Sequence, residues 1–147
     1  MQSTNSRTMY RALYLLLTLC VGSIDAQFTQ FTSTEQLYLA VDDYMANSTS
    51  NATFSAITYG YPMGTWDVSL ITNFTRVFDP NRTIPFDGTS CGEILSPFNE
   101  NVAAWNVANA VTMVGMFACT EFNHNIGSWM TSNVQNMSGM FMFAMGT

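Results

Sequence analysis

The sequence contains no lysine, and charged residues of any kind are scarce. Its 147 residues include four Lys+Arg (all arginine), ten Asp+Glu and one histidine, so charged residues are only 10%, well below the usual quarter. A chain so poor in cations has no basic footprint for phosphate, which excludes nucleic acid as a partner. The formal net charge of −6 says little beyond solubility. Catalytic patterns are missing as well. There is no Ser/His/Asp or Cys/His order, no metal-ligand spacing and no glycine-rich phosphate loop, so no catalytic residue, metal or cofactor is expected. The lone histidine, His124, stands between two asparagines. Asp42 and Asp43 are adjacent, and neighbouring residues of a helix point different ways. A carboxylate-based hydrolase is therefore the remotest of the functional readings.

Nor is there an apolar run of the roughly 20 residues that a membrane span takes. The longest is Ala12–Val21, preceded by Arg7 and Arg11 and followed by Gly-Ser-Ile-Asp-Ala. Basic head, apolar middle and small residues at the end are the layout of a secretory signal peptide. Cleavage is expected after Ala26, with an uncleaved anchor as the alternative; a lipid attachment at Cys20 is disfavoured by Leu19. Residues 27–147 then keep Arg76 and Arg82 against nine carboxylates, a net −7. They also keep Cys91 and Cys119, an even pair in an oxidising compartment. Asn-x-Ser/Thr sequons at Asn47, Asn51, Asn73, Asn81 and Asn136 agree with export. Asn47 and Asn51, in a polar run, are the foremost glycan candidates.

What the chain does have is a phrase written more than once. Phe98, Val102, Trp105, Met113, Met116 and Phe117 recur as Phe122, Ile126, Trp129, Met137, Met140 and Phe141, each 24 residues on. A more worn copy lies upstream in Tyr59, Met63, Trp66, Phe74, Val77 and Phe78, with the same 12-residue step from Trp to the final Phe. It is set back by 39 residues, an excess of 15 that falls in Asp79–Pro97. A fixed period in this range marks stacked repeats, each unable to bury its apolar face alone.

Within a unit, Ile126-x-x-Trp129-x-Thr131 and Val102-x-x-Trp105-x-Val107 read as a short strand with its approach. Asn73, Thr112 and Asn136 each follow their Trp by seven residues and suit helix N-caps. Met-x-x-Met-Phe then places both Met side chains on one face of a short helix. Gly115 and Gly139 would each weaken that helix by about 1 kcal/mol. The stripe of Met113, Met116, Met137 and Met140 reads as flexible core filler rather than a Cu(I) site, because no Cys or His accompanies it. Trp66, Trp105 and Trp129 are in phase with the apolar set and read as buried rings; an exposed sugar platform is the alternative. With Phe78, Phe117 and Phe141 they make up the expected repeat core.

The stretch FNHNIGSWMTSNVQNMSGMF, Phe122 to Phe141, resembles the repeat of BspA-type leucine-rich-repeat surface proteins, also described as the DUF285 repeat. The resemblance runs from about Tyr59 to the end and is most specific over Phe98–Phe141. Met130 stands where the family has Asp, as Asp67 does here, with Asn106 intermediate. The usual asparagine ladder of leucine-rich repeats is not in register. The resemblance implies an exported surface or adhesion-type protein with no catalytic residues to carry over.

The expected fold is therefore an α/β repeat solenoid, leucine-rich-repeat-like, with a short strand and a short helix per 24-residue coil. Repeats are assigned to 59–78, 98–117 and 122–141, with an insertion at 79–97. Residues 27–58 supply a polar linker and an N-terminal capping helix over Thr32–Asn47, whose start offers Thr32 with Glu35 or Ser33 with Gln36 as a capping box. Cys91 and Cys119 share an edge of adjacent coils and are expected to form a disulfide. The last repeat motif is followed by no capping element, so a truncated array, or self-association at an open edge, is expected. The functional expectation is a non-catalytic adhesion or recognition module for an extracellular protein or glycan, secreted or on the cell surface. A cell-wall or matrix component without a specific ligand is the alternative. The candidate ligand face is Glu100, Asn101, His124 and Asn125, with Asn109 and Asn133 beside it.

Overall fold

The computed structural model describes residues 28–47, 49–83, 91 and 95–145. The segment expected to be a signal peptide and most of the insertion lie outside the described residues.

Helix α1 spans Thr34–Ala46. Ser33 is its N-cap, and its hydroxyl accepts from Gln36 N at 3.2 Å. Gln36 Oε1 reaches back to Thr32, accepting from both its N–H and its hydroxyl, so two amides of the entry are satisfied reciprocally. Leu37, Ala40, Val41 and Tyr44 form the buried stripe. Helix α2, Phe54–Tyr59, starts on the Thr53 hydroxyl, which accepts from Ala56 N. A single 3-10 turn follows at Met63–Thr65.

Beyond this point the three sequence units lie side by side. Parallel bridges join Asn73 to Thr112 and Thr112 to Asn136. From there every second amide crosses to the next unit. Phe74, Arg76 and Phe78 donate to the carbonyls of Thr112, Val114 and Met116; Met113, Gly115, Phe117 and Cys119 donate to Asn136, Ser138, Met140 and Met142. The amides between them turn inward: Val77 N bonds Phe74 O, Met116 N bonds Met113 O, and Met140 N bonds Met137 O. Pro80 occupies the place of Cys119 in the first unit, and with no N–H to give the first ladder has one rung fewer.

This geometry corrects the expected helix in each unit. Met113–Phe117 and Met137–Phe141 form linked turns, not helix. Gly115 and Gly139 have φ of 58° and 61°, at the third position of a four-residue turn, where positive φ is what a type II turn requires. The glycines are therefore chosen for left-handed backbone rather than tolerated in a weak helix. Arg76 holds the same position in the first unit at φ 55°, a conformation uncommon for a residue with a Cβ. Its guanidinium Nε is 2.6 Å from Asp79 Oδ2, and Asp79 is buried. Asn73 and Asn136 likewise cap turns, accepting from Thr75 N and Ser138 N, and are not helix N-caps. Among the described residues the extended segments amount to isolated bridges.

The interior is aromatic. Trp66 and Trp105 stack at 6.3 Å, Phe78 stacks on Phe98 and Phe117, and Phe117 on Phe122 and Phe141. Each indole N–H is pinned to a carbonyl: Trp66 to Gly60 O, Trp105 to Met63 O and Trp129 to Val102 O. Met63 and Val102 are repeat equivalents, so one bond joins each unit to the unit before it. Trp66, Trp105, Trp129, Phe78, Phe117, Met113, Met116 and Met140 are buried. Met137 and Phe141, expected in the core, are 41% and 48% exposed, because no described residue covers the outer side of the third unit.

The α1 helix closes the opposite end. Thr34 donates its hydroxyl to Asn73 O and Tyr38 donates its own to Thr75 O, at 2.9 and 2.5 Å. Arg82 lies over the Tyr38 ring and pairs with Asp42. Burial pushes the Tyr38 hydroxyl up, an effect that Arg82 partly offsets. Burial, then the nearby Glu100 carboxylate, pushes Tyr44 up to about 12.

Both tyrosines have folded values above the unfolded one, so their contribution is fully present below pH 10 and is lost as pH climbs through the folded values. Chemical denaturation should give constant stability from neutrality to about pH 10 and a falling midpoint above it, with Tyr38→Phe reducing the slope. A second expectation concerns Gly64, where an added Cβ would sit 2.3 Å from Asn101 O of the next unit. Gly64→Ala should cost about 1–3 kcal/mol, read as a lowered urea midpoint; an unchanged midpoint would mean the units do not approach as described.

Candidate functional site

The residues expected to face a ligand lie on the turns that precede each Trp. Asn99, Asn101, Asn123 and Asn125 are all exposed, in two pairs 24 residues apart. Asn101 Oδ1 accepts from Ala103 N and Asn125 Oδ1 from Gly127 N, so each side chain is locked by an Asx turn. Asn99 joins the two rows: its Oδ1 accepts from Asn123 N, and its carbonyl lies 2.9 Å from His124 Nε2. His124 is half-buried with its ring against Phe122 at 5.9 Å. Glu100 is half-buried beside Tyr44.

The expected face therefore divides. Asn101 and Asn125 make the same turn at equivalent positions of successive units, and their amide nitrogens make no hydrogen bond among the described residues. His124 and Glu100 are already engaged by the fold. Asn99 and Asn123 join the ledge without having been singled out. Their signal was the recurring Asn directly after Phe98 and Phe122. Asn109 and Asn133 do not belong to the ledge. Their amide nitrogens donate to Ser69 O and Ala108 O of the preceding unit, both at 2.7 Å, so the units carry an asparagine ladder of their own.

The carboxylates are similarly occupied. Asp43 accepts from Ser55 N, Asp42 pairs with Arg82 and Asp79 with Arg76. The Ser69 hydroxyl first, then the Ser69 amide and Gln30, hold Asp67 below the usual carboxylate range. Among the described residues no three His, Cys, Asp or Glu side chains gather as a metal site. Asp67 and Asn106 each close an Asx turn, onto Ser69 N and Ala108 N; Met130, at the same position of the third unit, is 68% exposed and offers no such acceptor.

Cys91 and Cys119 form a disulfide with a Cα–Cα distance of 5.4 Å. The insertion is held around it by Asn81 Nδ2 donating to Cys91 O and by a parallel bridge from Ser96 to Thr120. That use of Nδ2 separates Asn81 from the other sequons. Asn47, Asn51, Asn73 and Asn136 are exposed.

The chain belongs to the DUF285 family, described as Mycoplasma protein of unknown function, whose model matches residues 23–146. No curated protein and no solved structure matches the chain. Among the described residues no helix is long and apolar enough to cross a membrane.

Met130→Asp should restore the missing turn acceptor and raise stability by about 0.5–1.5 kcal/mol, seen as a higher melting temperature. Passed through a glycosylating secretory pathway, the chain should carry glycan at Asn51 and none at Asn81; peptide mapping after enzymatic deglycosylation distinguishes them. Reduction of the disulfide should cost about 3 kcal/mol, measured by urea unfolding with and without reductant.

Proposed function

We propose that this chain is a secreted or cell-surface repeat solenoid that recognises an extracellular protein or glycan without catalysing a reaction. The observation that carries the reading is the asparagine ledge. Asn101 and Asn125 repeat at one unit's spacing, are fixed by their own turns, and leave their Nδ2 donors directed to solvent. A row of pre-ordered amide donors suits the hydroxyls of a sugar or the carbonyls of a peptide. Binding to fixed side chains also avoids much of the ordering cost. The disulfide agrees with an oxidising compartment. The structural use already made of Asp42, Asp43 and Asp79 favours binding over carboxylate chemistry.

The test is a glycan array, together with capture of extracellular proteins identified by mass spectrometry, using residues 27–147. Asn101→Asp and Asn125→Asp keep the oxygen that closes each turn and delete the outward donor. Together they should weaken binding about tenfold or more with the melting temperature unchanged. Binding that survives the double substitution would remove the ledge from the account. Silence in both screens would favour a matrix component without a specific ligand.

A further inference from the structure

The turn before each Trp carries a different side chain at one equivalent place. Five residues ahead of Trp66, Trp105 and Trp129 stand Tyr61, Glu100 and His124; four residues ahead stand Pro62, Asn101 and Asn125. The first two units are packed closely here, since the Asn101 carbonyl closes on Gly64 and the Trp105 indole donates to Met63 O. Buried Tyr44 joins their turns. Its ring stacks on Tyr61 at 5.9 Å, and its hydroxyl hydrogen-bonds the Glu100 side chain. Tyr61 is therefore a ring with a firm backing, yet it is 41% exposed. Glu100 is fixed by the same tyrosine, and Asn101 follows directly, locked by its own turn.

We propose that Tyr61, Glu100 and Asn101 form the seat of a neutral pyranose ring, so that the partner taken by this face is an uncharged glycan. The inference rests on the recognition role given to the asparagine ledge and narrows it to one ligand class. A rigid aromatic face offers apolar area to the C–H side of a sugar at little ordering cost. A carboxylate only accepts, and an amide nitrogen only donates. Glu100 and Asn101 thus match one hydroxyl that gives its proton and one that receives a proton. Neighbouring hydroxyls of a pyranose do both at once, because each is donor and acceptor. A peptide fits less well. It brings N–H and C=O in equal number, whereas the side-chain oxygens of Asn99, Asn101 and Asn125 already accept main-chain amides, which leaves the ledge rich in donors. An acidic sugar is disfavoured as well. Among the described residues Arg76 and Arg82 are paired with Asp79 and Asp42, and the Glu100 carboxylate would repel it. Trp66, Trp105 and Trp129 are buried and do not serve as the platform.

The experiment is an NMR titration of the full chain with cellohexaose, laminarihexaose, mannohexaose and chitohexaose, with hexagalacturonate as the acidic comparison. At least one neutral hexasaccharide should bind and shift the Tyr61 ring resonances, and hexagalacturonate should not. Tyr61→Phe should keep the affinity within about twofold and Tyr61→Ser should lower it about fivefold or more, with the melting temperature followed in parallel. Should the serine variant not fold, the Tyr61 ring shifts of the natural chain decide. Neutral binding that leaves those resonances unmoved, or that is weakened by Asn101→Asp with Asn125→Asp but not by Tyr61→Ser, would overturn the seat and keep the ledge. Binding of hexagalacturonate alone would overturn the neutral class. Capture of a protein that the paired asparagine substitutions release, with every neutral hexasaccharide inert, would overturn the glycan and keep recognition. Silence toward hexasaccharides and proteins alike would overturn both.

Discussion

Main-chain amides that alternate between two destinations hold this molecule together. Along Phe74–Phe78 and Met113–Cys119, odd steps bond across to the next unit, while Val77, Met116 and Ala118 close turns within their own. Neither a helix nor a regular strand allows that. A helix sends every N–H back along its own chain, and a strand sends none. The alternation requires backbone that can turn left-handed within each unit, which is why Gly115 and Gly139 stand where they do. It also brings the units close enough for Trp105 and Trp129 to reach carbonyls of the unit before. The buried rings then supply the apolar stabilisation that such short, irregular segments lack by themselves.

The two outer sides of the three units differ in chemistry. At the start, the first unit exposes carbonyls, and α1 meets them with two hydroxyls, Thr34 and Tyr38, rather than with more backbone. That choice joins a helix to a laddered surface and leaves the α1 stripe of Leu37, Val41 and Tyr44 for the core, with Tyr44 set edge-on to Trp66. At the third unit the exposed groups are amides, and the graded exposure from Phe117 to Phe141 follows from having a neighbour on one side only. The disulfide and the Ser96–Thr120 bridge fasten the insertion to the second unit, so the 39-residue spacing between the first two tryptophans does not interrupt the register.

Much of this was legible in the residues. A 24-residue period with Trp in phase identifies a shared interior, and the two remaining cysteines fall on one edge of adjacent units. The expected helix over Thr32–Asn47 matches α1 to within two residues at its start and one at its end, and of the two possible capping boxes the structure uses Ser33 with Gln36. The Met-x-x-Met spacing misled, because residues three apart share a face in a helix and also flank a four-residue turn. Glycine between them, repeated at Gly115 and Gly139, was the signal for the turn. Asn109 and Asn133 looked like free surface amides; nothing in their spacing reveals that each reaches a carbonyl of the neighbouring unit. The ledge of Asn99, Asn101, Asn123 and Asn125 was half visible, since Asx turns depend on the residue two places on.

Through-hydrogen-bond scalar couplings test the alternating ladder most directly. A long-range amide-to-carbonyl NMR experiment on the isotopically labelled chain should connect Gly115 N to Ser138 C′ and Phe117 N to Met140 C′, with Met116 N connected to Met113 C′. Couplings from Phe117 N to Met113 C′, the signature of a helix through the methionines, would contradict the account.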